Sequence, residues 1–184
     1  MDLFQKKIGI FGIQGSGKTH FARSILRYFR APFIYRLTSD FDNVDNAIIF
    51  KQTDKYADLD FFLATARRLG QAGKIDAVVL DEADLFMTEA RLEQGLMNEL
   101  VLMHRHFGLA FIIISRRPQD IPSKVFESCH VIALFAIDAP IAKKKFSDLH
   151  EDYKTLLPNL DLARHNFIIK ELGQPPQLCA PIEG

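Results

Sequence analysis

Gly12-Ile13-Gln14-Gly15-Ser16-Gly17-Lys18-Thr19 decides how the rest of the chain is read. The stretch fits G-x-x-x-x-G-K-[ST], the Walker A pattern of a loop that wraps phosphate. Glycines let the backbone turn tightly enough for successive N–H groups to face one anion. Lys18 is placed to reach the β- and γ-phosphates of a nucleotide, and the Thr19 hydroxyl suits a magnesium ion. The surroundings agree with the motif. Lys7-Ile8-Gly9-Ile10-Phe11, in front of the loop, is short and apolar like a buried strand. Behind it, Phe21, Ile25 and Phe29 recur at helical spacing over 19–29. The start of that helix adds partial positive charge beside the loop. Gly12 to Thr19, with His20 just beyond, are therefore the candidate nucleotide-binding residues.

A second element belongs with the first. Val78-Val79-Leu80-Asp81-Glu82 is an apolar strand that ends in two acids. Asp81 fits the Walker B role of holding Mg²⁺ together with Thr19. Glu82 is the candidate base that orients and deprotonates a water for attack on the γ-phosphate. An acid at this place suits an ATP hydrolase and suits a small-molecule kinase poorly, because a kinase must keep water from its donor phosphate. Arg105 precedes the apolar run Leu109 to Ser115, and Ser115-Arg116-Arg117-Pro118 follows it. Ser115 is a candidate nucleotide contact. The three arginines are candidates for stabilising transition-state charge, within one subunit or across a boundary. Solvated arginines at helix and strand ends are the competing reading.

The chain has 184 residues, enough for one domain with a proper core. Lys plus Arg and Asp plus Glu number 23 each, so composition gives no support for nucleic-acid binding by a lone copy. An oligomer can still focus a few basic side chains, such as Arg67, Arg68 and Lys143 to Lys145, into one channel. No apolar run is long enough to span a bilayer, and the start shows no signal-peptide pattern. Two cysteines, Cys129 and Cys179, make no disulfide framework, so the cytoplasm is the expected compartment. The histidines show no zinc spacing with cysteine, and no structural metal is expected.

Strands are expected at 7–11, 32–37, 47–50, 75–80, 109–115, 131–136 and 165–170. Helices are expected at 19–29, 58–71, 88–107, 123–128 and 139–153, with Gly70 and Gly73 ending the second of them. Such alternation argues for an α/β fold with a mostly parallel central sheet flanked by helices. The loop then lies at the carboxyl edge of the sheet, where ligands bind in folds of this type. We expect a single domain over 1–184, with 172–184 a loose or docking tail. Most of the phenylalanines read as core rather than as a base-stacking surface.

Taken together, the Walker A loop, the Asp81-Glu82 pair and the segment from Arg105 through Pro122 resemble the HerA/FtsK superfamily of P-loop ATPases. The order of an arginine-glycine element, an apolar strand and a polar-Arg-Pro turn carries more weight than Walker A alone. The resemblance runs from Ile8 to Phe135. It implies the RecA-like (ASCE) P-loop NTPase fold, with an extra strand between those bearing Walker A and Walker B. It also implies ATP and Mg²⁺ as ligands, a ring of identical subunits (commonly a hexamer) and ATP-driven movement of double-stranded DNA. A compact chain of this kind looks most like the genome-packaging ATPases of internal-membrane, double-jelly-roll viruses. That would place it in host cytoplasm or virion, with a capsid or membrane-vertex protein as a further partner. Arg105 matches the family's candidate trans finger. Many family members carry a γ-phosphate-sensing Gln where this chain has Arg116. Arg116 either contacts phosphate as a cation or points elsewhere, leaving Arg117 as a structural anchor. The alternatives are a phage assembly or secretion ATPase of the zonula-occludens-toxin type, and a nucleotide-dependent switch acting on a protein partner.

Overall fold

The computed structural model describes residues 3–37, 39–51, 57–93 and 95–182. In chain order the elements are β1 (Lys7–Phe11), α1 (Lys18–Leu26), β2 (Pro32–Arg36), β3 (Ile48–Lys51), α2 (Ala57–Gln71) and β4 (Ala77–Leu80). There follow α3 (Glu89–Leu92), α4 (Leu96–Met103), β5 (Ala110–Ser115), α5 (Ser123–Glu127), β6 (Val131–Leu134), α6 (Pro140–Leu149), α7 (Tyr153–Leu156), β7 (Phe167–Glu171) and β8 (Gln177–Cys179). The eight strands form one sheet in the order β3-β2-β4-β5-β1-β6-β7-β8. Neighbours from β3 through β6 are parallel, and β7 and β8 run antiparallel to their neighbours. The sheet is thus mostly parallel, and β5 lies between β1 and β4, as the family resemblance implies.

The central strands are apolar without interruption because both of their faces are covered. Alternate residues feed two cores. Phe11, Val78, Leu80, Phe111, Ile113, Ile132 and Leu134 pack on one side, against Leu59, Phe62 and Leu63 of α2 and Met97, Leu100 and Val101 of α4. Ile8, Ile10, Val79, Ile112, Ile114 and Ala133 pack on the other, against Phe21, Ala22 and Ile25 of α1. Phe86 and Phe62 are fully buried, while Phe61 is exposed. Cys129 is buried, and burial pushes its thiol up to about 12, so it stays protonated.

Two expectations are corrected, and a third is narrowed. The helix expected over 88–107 is broken into α3, α4 and a final 3₁₀ turn at His104–Phe107. The break is at Gly95, with φ 73° and ψ −144°, a conformation outside any helix. Gly70 does not end α2. It lies inside the helix, where a Cβ would come within 2.7 Å of the Leu109 side chain. Gly73, at φ 62°, makes the turn. The stretch 172–184 contains β8, which pairs with β7 through Phe167↔Cys179, Ile168↔Leu178 and Ile169↔Gln177. The tail is therefore docked on the chain's own sheet as far as the described residues run.

Candidate active site

Gly12 begins the phosphate loop where β1 leaves the sheet. Its N–H donates to the Ser115 carbonyl (3.2 Å) and that of Ile13 to the Ala136 carbonyl (2.9 Å), tying the loop to both flanking strands. At Gly12, φ is 152°, and a Cβ there would lie 2.7 Å from the Phe135 Cβ and 2.9 Å from the Ser16 Oγ. Only glycine fits so close a passage. The N–H groups of Gly15, Gly17, Lys18 and Thr19 donate to no backbone carbonyl among the described residues. The Ser16 Oγ is buried with no hydrogen-bond partner. Open donors, an orphaned hydroxyl and the first turn of α1 together fit a polyphosphate.

Lys18 is 7% exposed, and its Nζ donates to the Ile13 carbonyl at 2.7 Å, across the loop it belongs to. Burial pushes its pKa down to about 8. Glu82, Asp81 and Asp84 oppose that shift, and Arg116 adds to it. The lysine thus shares one electrostatic neighbourhood with the acids that follow β4. Asp81 is buried, and its Oδ1 accepts the Glu82 N–H at 3.1 Å. Glu82 itself is held left-handed, with φ 52° and ψ 45°. That conformation is costly for a residue with a side chain and accumulates at functional sites.

Glu82 has a partner that spacing alone does not show. Arg116, just past β5, donates from Nε to the Glu82 Oε1 at 2.8 Å, and its Nη2 forms an ion pair with the same oxygen at 2.6 Å. Its backbone N–H donates to the Asp84 Oδ1. Pairing with Glu82 raises the Arg116 pKa further. Arg116 therefore sits among the acids of the site, while Arg117 turns outward and pairs with Asp120 at 2.9 Å. Ser115 is buried, and its Oγ accepts the Arg117 N–H. Arg117, Ile13, Gln14 and Gln119 line a smaller cavity of about 260 Å³ beside the loop.

Arg105 is not in this site. Its Nε donates to the Gln5 carbonyl (3.2 Å), and its guanidinium lies against the His130 ring. Gln5 and His130 come just before β1 and β6, so Arg105 occupies the amino-terminal edge of the sheet. The phosphate loop is at the carboxyl edge. Among the three arginines grouped by sequence, only Arg116 meets the acids.

A larger cavity of about 530 Å³ opens on the other side of the loop, lined by Gly15 to Phe21, Phe135, His165, Pro181 and Ile182. Sequence reading gave Phe135 and His165 only to strands and passed over Pro181 and Ile182. Phe135 was findable, since a residue just past a parallel strand beside β1 must stand next to the loop. Nothing in the sequence signals Ile182.

A glycine loop between strand and helix, with an acid-tipped strand two positions away in the sheet, defines a P-loop nucleotide-hydrolase fold. Residues 8–136 match the ATPase family associated with various cellular activities (AAA), and the chain belongs to that family. No curated protein matches the chain by sequence. Among solved structures, the DNA-packaging ATPase B204 of Sulfolobus turreted icosahedral virus shares the fold. The TM-score is 0.80 at 16% identity, over 99% of this chain and 100% of that one. The genome packaging NTPase B204 of Sulfolobus turreted icosahedral virus 2, solved with ATPγS, gives 0.79 at 15% identity, over 97% and 98%. EssC of Geobacillus thermodenitrificans gives 0.66 at 17% identity, over 98% of this chain and 40% of that one. No helix among the described residues is long and apolar enough to cross a membrane.

Proposed function

We propose that the chain hydrolyses ATP and that hydrolysis drives double-stranded DNA through a ring of identical subunits, as in packaging a viral genome. The observation that carries the reading is the convergence of Lys18, Asp81, Glu82 and Arg116 at the open end of the phosphate loop. Lys18 and the loop N–H groups hold the β- and γ-phosphates, and Lys18 gives up its bond to Ile13 to do so. Thr19 and Asp81 would hold Mg²⁺, which supplies charge neutralisation on the phosphates when bound. Glu82 accepts a proton from the attacking water as its oxygen bonds to the γ-phosphorus. The bond from that phosphorus to the β–γ bridging oxygen breaks, and ADP leaves with the electron pair. Arg116 meets Glu82 through Oε1, which leaves Oε2 to take the proton, and opening the pair would free both oxygens. The γ-phosphate is an anion that can draw Arg116 away, which gives this arginine the place of the sensor glutamine.

Arg105 acts in this reading only on a neighbour, because its own site is at the opposite edge of the sheet. Packaging of DNA is preferred over secretion because the fold agrees better with B204 than with EssC. The direct test of the chemistry is Glu82→Gln. The variant should bind ATP as tightly as the parent and lose about 10²–10⁴ of the hydrolysis rate, the usual contribution of a general base. Undiminished turnover would remove Glu82 from the mechanism.

A further inference from the structure

We propose that the 530 Å³ cavity receives the base and ribose of the nucleotide and that the chain's own C-terminal segment closes it. The inference rests on the ATPase reading and adds what recognises the nucleoside. Sheet order gives the direction. The groups facing the γ-phosphate follow β4 and β5, on one side of β1. The outer wall of the cavity comes from the other side. Phe135 follows β6, His165 precedes β7, and Pro181 and Ile182 follow β8. A triphosphate held with its γ end at Glu82 therefore points its nucleoside across β6, into this cavity. The volume lies within the roughly 300–1,000 Å³ common for small-molecule sites.

The wall is built rather than incidental. β7 is antiparallel to β6, so its first residues lie at the carboxyl edge. β8 is antiparallel to β7, and Cys179 is paired with Phe167, so 180–182 run on past that edge beside the loop. Ile182 packs on the core that holds Phe21 and Phe135. Phe135 in turn stacks on Phe167, with centroids 5.2 Å apart. His165 is held left-handed at φ 51°, and its Cβ lies 3.5 Å from the place of a Cβ on Gly17. The turn before it is pinned by Asn166, which accepts the Asp161 N–H and donates to the Asn159 carbonyl. A strained residue fixed over the loop by its surroundings is a sign of a positioned group.

The chemistry of the wall sets what it can read. Phe135, Pro181 and Ile182 offer apolar surface, and His165 and His20 offer rings. Among the described residues, no amide or carboxylate side chain lines the cavity. The described wall is suited to stacking and apolar contact, which every purine satisfies. The cavity should thus take ATP and GTP with less than about tenfold difference, since large discrimination needs hydrogen-bonding groups left unpaired by the wrong base.

The test is calorimetric binding of ATP, GTP and inorganic tripolyphosphate to the full chain, to His165→Gly and to Ile182→Asp. His165→Gly removes the ring and relieves the left-handed backbone, so folding is not at risk. Each variant should bind ATP about tenfold more weakly, the loss of one stacking or apolar contact, with tripolyphosphate unaffected. Unchanged ATP affinity in His165→Gly would overturn the proposal. So would equal loss of both ligands in that variant, or rejection of GTP by more than about a hundredfold in the parent. Lys18→Ala separates the underlying reading. If it bound ATP and tripolyphosphate like the parent, the loop itself would not be the phosphate site.

Discussion

Lys18 is an ammonium group buried in the loop it must neutralise, and that burial makes its charge depend on pH. Its pKa falls to about 8, with desolvation the chief cause. A bound triphosphate is an adjacent polyanion and raises the pKa again. ATP affinity should therefore be level below about pH 8 and decline as pH rises through that value, by at most about tenfold per unit. The decline should be absent from Lys18→Ala. Titrating ATP binding between about pH 7 and 10 checks this, and a level affinity across that range would contradict the placement of Lys18. Glu82 shows a different economy. Its ion pair with Arg116 has 41% of the arginine side chain exposed, so solvent screens it and its net worth is at most about 1 kcal/mol. A contact that weak can hold the base at rest and still yield to a γ-phosphate.

Gly95 governs the element scale. It separates α3 from α4 in a conformation reserved for glycine, and, its chain neighbours aside, no atom of the described residues lies within 4 Å of a Cβ placed there. Gly95→Ala should therefore cost backbone strain alone, about 1–3 kcal/mol, read as a lower urea midpoint with an unchanged slope. An unshifted midpoint would mean that the two helices can merge. The same residue shows why part of the fold was hidden. Leu92, Leu96, Leu100 and Met103 form a stripe that reads straight through the glycine, because periodicity reports a shared buried face and not continuity of the backbone. The parallel strands were legible, since burial on both faces leaves continuous apolar runs such as Phe111 to Ile114. β8 was not, being three residues long after Pro175 and Pro176. In the site, the loop and the acid pair were legible because their chemistry is local in sequence. The Arg116–Glu82 pair joins residues 34 apart and depends on β5 lying beside β4. Arg105 was grouped with Arg116 by proximity to one strand. A residue that precedes a parallel strand stands at the opposite edge from one that follows it.

For the whole molecule, the two edges of the sheet set what assembly would require. The phosphate loop faces out at one edge and Arg105 at the other, so a finger acting between copies needs a head-to-tail interface. Repeated, such an interface closes a ring if its rotation closes and otherwise runs on as a filament. If Arg105 serves a neighbour's γ-phosphate, Arg105→Ala and Lys18→Ala should each be inactive alone and regain hydrolysis when mixed. Mixed subunits would pair an intact loop with an intact arginine. Mixtures without any recovery would leave Arg105 as a contact of Gln5 and His130 only. If hydrolysis moves DNA as proposed, a chain with no net charge would gather its cations by assembling. Steady-state ATP hydrolysis, with and without double-stranded DNA and across protein concentration, tests this most directly. The account predicts that DNA stimulates turnover, that activity per subunit rises with concentration, and that added salt suppresses the stimulation. Turnover indifferent to DNA and constant per subunit would contradict it.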